Sequence, residues 1–283
     1  MGRFLAHHGE PLSSSAEPQP GFASTYGFGL LYDQPPALDP KTLVARLAPA
    51  TPTELLSASD SVIHLSHPDL RVASSQASST SIERSAKPVV AGDYAAALEQ
   101  TWDWPEAEPA LARCGYRIRV CDLTGAGLLY DVRYRLISTV VLAVVELTDP
   151  TVCHWEPAGC LVEPKRLARN LAWPFNVRAV ALDPGRESLM DTLGLAALGL
   201  IDAQCYYRGL DRGQMARWMY GVGRKLFTDG GVITEEDSIP GLRPNERWTW
   251  RRQSAMLPPT RPVIDVKPPA SHSGRHNIVA IVP

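Results

Sequence analysis

A chain of 283 residues is long enough for one large domain or two small ones. A single domain of that length buries roughly 75% of its unfolded surface, so it needs no metal or disulfide staple. Hydrophobic residues at 45% and charged residues at 20% describe a globular protein, and a net charge of −2 supplies no broad field toward nucleic acid or an anionic membrane.

Targeting signals are equally sparse. Phe4-Leu5-Ala6 is too short an apolar run for a signal peptide. The longest apolar stretch, Leu136 to Leu147, is interrupted by Ser138, Thr139 and Glu146, and at about 12 residues it falls short of the roughly 20 that a bilayer span requires. Five cysteines, an odd number without an export signal, read as reduced thiols, so a cytoplasmic location is expected.

Residues 1–23 are rich in Ser, Pro, Gly and Glu and read as a disordered tail. Thr25 to Tyr32 then reads as a strand, its glycines marking a bulge or a close backbone approach. Asp39 is a natural N-cap, Pro40 fits the first helical position, and Leu43, Val44 and Leu47 form an apolar face. Ser61 to Leu65 is a short strand. The Ser/Ala-dominated run that follows predicts a mobile loop or boundary over Ala73 to Ser81. Asp93 caps a helix expected to reach about Trp104, and a second helix runs from Pro105 to Cys114.

In the middle, Tyr116, Ile118 and Val120 alternate with Arg117, Arg119 and Cys121 as in a half-buried strand. After the Gly125-Ala126-Gly127 turn, a helix from about Asp131 to Thr148 is apolar nearly all round from Leu136, so it should be buried on more than one side. Thr151 to Trp155 is a strand, Glu163-Pro164 opens a short helix, and Asn176 to Leu182 is a further strand. Asp202 to Tyr207 forms another. Asp211 then caps a helix to Phe227 that places Met215, Trp218, Met219, Val222 and Leu226 on one stripe. Glu246 to Arg252 and Pro262 to Val266 finish as strands.

These elements predict an α+β fold of mixed sheets with packed helices. Tyr26–Leu47 and Asp202–Leu226 share the order strand, tight turn, Asp cap, helix, which suggests two similar β-turn-α lobes. The expected organisation is a tail over 1–23, an N-terminal α+β region over 24–175, a C-terminal α+β region over 176–268 and a flexible tail over 269–283.

Asp191-Thr192-Leu193-Gly194-Leu195, the Gly209-Leu210-Asp211 helix start, Thr228-Asp229-Gly230-Gly231, Asp237-Ser238-Ile239-Pro240-Gly241, Arg247-Trp248 and Pro262-Val263-Ile264-Asp265-Val266 follow one another in the last third. The run over about residues 191–266 resembles the bacterial family of domain of unknown function 4261. Thr101-Trp102-Asp103-Trp104-Pro105 and His154-Trp155-Glu156-Pro157 also look like what accompanies that domain. The resemblance implies no catalytic residue.

Reactive constellations are thin. Gly125-x-Gly127 lies where a phosphate could rest on a helix N-terminus, but a dinucleotide fingerprint needs a third glycine where Tyr130 stands. His154, Trp155 and Glu156 adjoin Cys153, with Cys160 seven residues from Cys153. They read either as a metal pair or Cys-His nucleophile, or as a satisfied histidine beside a packed Trp155. On a strand His154 and Glu156 share a face while Cys153 points oppositely. No Gly-x-Ser-x-Gly elbow occurs. Trp102, Trp104 and Trp155 are the expected interaction surface, since exposed Trp is enriched at hot spots, although Trp102 and Trp104 could also plug gaps between helix and sheet.

The function expected is therefore binding of another protein rather than catalysis, in the concrete form of an immunity or accessory factor for a bacterial toxin or secretion system. No cofactor, metal, nucleic acid or membrane partner is expected. The alternative is an enzyme or small-ligand binder built on His154, Glu156 and the Gly125–Gly127 turn.

Overall fold

The computed structural model describes residues 19–72, 75–183, 187–234 and 238–274. β1 (Gly27–Tyr32) is followed by α1 (Pro40–Leu47), which begins where the Asp39 carboxylate accepts the Thr42 amide at 2.7 Å. β2 (Glu54–Ala58), β3 (Val62–Arg71) and β4 (Ala77–Arg84) are successive antiparallel strands. Two short helices, α2 (Ala95–Glu99) and α3 (Ala107–Ala112), precede β5 (Tyr116–Asp122). α4 (Tyr130–Thr148), β6 (Val152–Trp155) and β7 (Cys160–Val162) complete the first sheet, which is antiparallel throughout in the order β2-β3-β4-β5-β1-β6-β7.

β1 is buried at every residue because it lies between β5 and β6 and is covered on both faces. On one face Phe28, Leu30 and Tyr32 join Ile118, Val120, Cys153 and Trp155 in the core beneath α1 and α4. On the other, Leu31, Val152 and Leu161 meet Tyr94, Ala97 and Leu111 from the α2 and α3 region. Strand alternation thus sorts one sequence into two cores. The apolar second half of α4 is used as its composition requires, with Leu136, Ile137, Val140, Val141 and Val144 all buried.

After α5 (Leu167–Asn170), the second sheet is built from β8 (Asn176–Asp183), β9 (Glu187–Leu193) and β10 (Asp202–Arg208). α6 (Arg212–Thr228), β11 (Ile239–Pro240), β12 (Arg247–Ser254) and β13 (Pro262–Lys267) follow, in the strand order β11-β12-β13-β10-β9-β8. β10 and β13 are parallel and the other pairs antiparallel, so this sheet is mixed and the fold is α+β. Asp211 caps α6 by accepting the Gln214 amide at 2.8 Å, and Met215, Met219, Val222 and Leu226 pack on the sheet with Trp248 and Ile264.

Several expectations are corrected. The stretch read as a loop over Ala73–Ser81 contributes β4, an interior strand in which Ser78, Thr80 and Ser81 are buried; residues 73 and 74 lie outside the described residues. The strand read over Ser61–Leu65 extends to Arg71. The helix from Asp93 ends at Glu99 rather than Trp104, because the Thr101 hydroxyl donates to the Ala97 carbonyl and accepts the Leu161 amide of β7. Residues 19–23 are docked: the Ala23 amide donates to the Ala197 carbonyl, and the Arg133 guanidinium lies over the Phe22 ring. Residues 269–274 return to β10, where the Arg208 amide donates to the His272 carbonyl. The remainder of both expected tails, residues 1–18 and 275–283, lies outside the described residues. The two strand-cap-helix units share their caps but not their setting, since β1 has only antiparallel neighbours and β10 has a parallel one.

Candidate functional site

His154 and Glu156 project from the β6 end onto the face away from α4, as alternation demands, while Cys153 and Trp155 enter the core. Gly27 and Gly29 of the neighbouring strand make room for them. A Cβ at Gly27 would come within 2.7 Å of a Glu156 carboxylate oxygen and 2.9 Å of the Arg119 guanidinium. Glu156 accepts from Arg117 Nη2 at 3.0 Å and from Arg119 Nε and Nη2 at 2.9 to 3.1 Å, so its charge is neutralised twice over. The His154 ring meets Tyr94 edge-on at 5.1 Å, and burial pushes its pKa down to about 4 against the opposing pull of Glu156. It is therefore a neutral imidazole near pH 7.

Both side chains line an open cleft of about 800 Å³, whose other walls include Gln100, Arg178, Leu193 and Arg261 from the α2 region and the second sheet. His154 Nδ1 and Gln100 Oε1 are buried there without a hydrogen-bond partner. No cysteine joins them, and among the described residues no three His, Cys, Asp or Glu side chains come together to hold a metal. The five thiols are free and buried; burial raises the pKa of Cys153, and that of Cys160 to about 12. Neither is poised as a nucleophile.

The Gly125–Gly127 turn does not reach this cleft. It is a single 3₁₀ turn separated from α4 by Leu128 and Leu129, and Gly125 is required because a Cβ there would overlap the Asp122 side chain. That carboxylate accepts the Tyr26 amide and pairs with Arg133 at 2.6 Å, deep in the core. Gly125 thus serves a buried ion pair, while Gly127 lies against Val72.

Asp191 and Thr192, from the run that carries the sequence resemblance, meet Asp202 and Arg261 in a second buried network. Arg261, 1% exposed, donates to Asp202 at 3.2 Å, to Asp191 at 2.6 Å and to the carbonyls of Thr192, Leu257 and Pro259. Asp191 also pairs with Arg178. Asp202, whose pKa is raised by burial against the opposing charge of Arg261, accepts the Thr192 hydroxyl and the amides of Leu195 and Ala196. Gly194 adopts φ +136°, and a Cβ there would overlap the Pro174 carbonyl. All five donors of Arg261 are used, so the motif holds the fold together.

The tryptophans separate sharply. Trp155 is 2% exposed, stacked against Phe28 and bonded through its indole N–H to the Tyr26 hydroxyl; Trp104 is buried with Tyr94, Ala107 and Leu111. These two are buried in the core rather than exposed as expected, although Trp155 also contributes to the lining of the cleft at Trp102. Trp102 is 59% exposed. It lines a second cleft of about 800 Å³ with Arg166, Arg169, Asn176, Arg217 and Tyr220, and a smaller hollow of about 330 Å³ with Val177, Ala179 and Met190. Arg217 lies on the exposed side of α6, and no local sequence signal shows that this side lines a cleft with α5 and Trp102.

No curated protein and no solved structure matches the chain. Residues 191–267, the C-terminal part of the chain and the stretch that holds the Asp191–Asp202–Arg261 network, match the model of the family described as Domain of unknown function (DUF4261).

Proposed function

We propose that the protein acts in the cytoplasm by binding another protein, through the surface centred on Trp102. The observation that carries this reading is the exposure of one large aromatic at 59% beside Tyr220 and several arginines, the three residue types most enriched at interaction hot spots. An indole in water gains most when a partner covers it, and a surrounding rim of polar side chains supplies orientation. An immunity or accessory factor of a toxin or secretion system is the biological form proposed, in keeping with a chain whose reactive side chains are paired or buried.

Co-purification tests the reading directly. Tagged full-length protein and its Trp102→Ala variant are isolated from the native host and the bound material is identified by mass spectrometry. A stoichiometric partner held by the parent and lost from the variant is expected. Recovery of no such partner, or its retention by the variant, overturns the proposal.

A second reading is supported by the cleft at His154. Two buried unpaired polar atoms, His154 Nδ1 and Gln100 Oε1, share that cleft, which is of small-molecule size and partly apolar. Under this reading a neutral polar ligand satisfies both atoms. A ligand that raises the melting temperature of the parent but not of a His154→Ala variant supports it.

A further inference from the structure

Resting on the protein-binding reading, we propose that the cleft beside Trp102 receives an extended acidic segment of the partner, with carboxylates on Arg169 and Arg217 and an apolar side chain over the indole. Arginine accounting carries the argument. In the interior every guanidinium has its carboxylate: Arg133 has Asp122, and Arg178 and Arg261 share Asp191. On the wall of this cleft Arg166 is likewise occupied, pairing with Glu163 at 2.9 Å and donating to the Asp103 carbonyl. Arg169 and Arg217 are exposed and form no ion pair among the described residues.

A third group points the same way. Asn176 Nδ2, at the start of β8, is buried on the cleft floor with no acceptor. Three free groups here, Arg169, Arg217 and Asn176, are therefore donors, two of them cations, against the single carboxylate of Asp103 on the same lining, in a chain whose net charge is −2. Such a pocket selects acceptors with negative charge, and a guanidinium takes a carboxylate through two parallel hydrogen bonds. β8 is also the edge strand of its sheet, with no strand on its outer side among the described residues. An extended segment can lie along it.

Nucleic acid is the weaker occupant. Tracking a phosphate backbone needs a sustained basic row with repeated aromatic platforms. Beyond Trp102 the surface turns mainly apolar instead, at Val177, Ala179, Met190 and Ala216, with Arg212 as the one cation of that hollow, donating to the Ala179 carbonyl.

Fluorescence anisotropy on the full chain decides the matter, with labelled polyglutamate, polyglutamine and single-stranded polythymidylate of matched length as probes. Polyglutamate is expected to bind at least about tenfold more tightly than polyglutamine and to weaken steeply with added salt. The Arg169→Glu/Arg217→Glu double variant should abolish this preference, whereas Arg169→Lys/Arg217→Lys should retain part of it; unchanged circular dichroism verifies folding of both. Equal binding of the two peptides, or an undiminished preference in the charge-reversed variant, overturns the proposal. Tighter capture of polythymidylate through the same residues reassigns the cleft to nucleic acid. A co-purified partner that depends on Trp102 yet survives charge reversal removes the acidic inference and leaves protein binding standing.

Discussion

Arg261 and Arg217 are both arginines of the C-terminal region, yet one is sealed inside the second sheet and the other stands at the wall of a cleft. Arg261 has each of its donors matched by an acceptor, two of them carboxylates. Arg217 is exposed beside Trp102 and Tyr220 without an ion pair among the described residues. The difference separates architecture from function: a charge that folding has already neutralised cannot be offered to a partner, whereas an unpaired one can. By that criterion the Asp191–Asp202–Arg261 network belongs to the fold, and the proposed working surface is the cleft that α6 lines with α5 and the Trp102 loop.

The largest expected effect comes from breaking the interior half of this comparison. Arg261→Met leaves Asp202 buried with no counter-charge and Asp191 with Arg178 alone, and removal of one partner of such a buried pair costs about 3–5 kcal/mol. A urea unfolding midpoint lowered accordingly is the expected readout. A midpoint within error of the parent would mean that Arg261 is not structural and would dissolve the distinction.

The first sheet has a neutral counterpart in His67, fully buried and hydrogen-bonded to Thr80 at 3.0 Å and to Thr53 at 3.2 Å. Burial depresses its pKa from 6.5 to about 4. Protonation therefore favours the unfolded chain. Its contribution, about 3 kcal/mol, is complete above pH 6.5 and is lost as pH falls through about 4. His67→Gln should flatten stability across that window, measured as urea midpoints at successive pH values. An unchanged acid limb would assign the loss to other groups.

How far these features were legible depends on which physical signal they leave in a sequence. The caps at Asp39 and Asp211, the alternation in β5 and the stripe on α6 were readable because local hydrogen bonding and periodicity specify them. β4 was not, since its inward positions are Ser78, Thr80 and Ser81. Thr80 meets His67 and Ser81 meets Cys121 across the strands, while the Ser78 hydroxyl is buried without a partner, and a serine run looks like a loop until the neighbouring strands are in place. β2, β7 and β9 were missed for a related reason, being short or polar and defined by their neighbours. Trp155 looked as available as Trp102; only the sheet shows that it faces inward, onto Phe28, while Trp102 lies in the loop beyond α2. Of the site, Trp102 was legible and its arginines were not, because Arg169, Arg217 and Asn176 come from three elements brought together by tertiary packing.

A smaller effect tests the backbone beneath the interior network. Gly194 holds φ +136° with the Pro174 carbonyl where a side chain would stand. Gly194→Ala should therefore destabilise the fold by about 1–3 kcal/mol, read as a lower melting temperature. Full stability in this variant would show that the loop has room to adapt to a side chain.

The smallest expected change in stability sharpens the comparison most. Arg169 and Arg217 are exposed and unpaired, and the Trp102 ring is largely in water, so Arg169→Ala/Arg217→Ala and Trp102→Ala should each shift the unfolding free energy by no more than about 0.5 kcal/mol. That result would fit the proposed reading, in which residues on which the fold does not depend gather around a cleft of about 800 Å³ for a partner. Losses as large as that of Arg261→Met would mean instead that these side chains brace α5 against α6. The cleft would then be a seam of the fold, and the division between interior and working arginines would fail at its outer end.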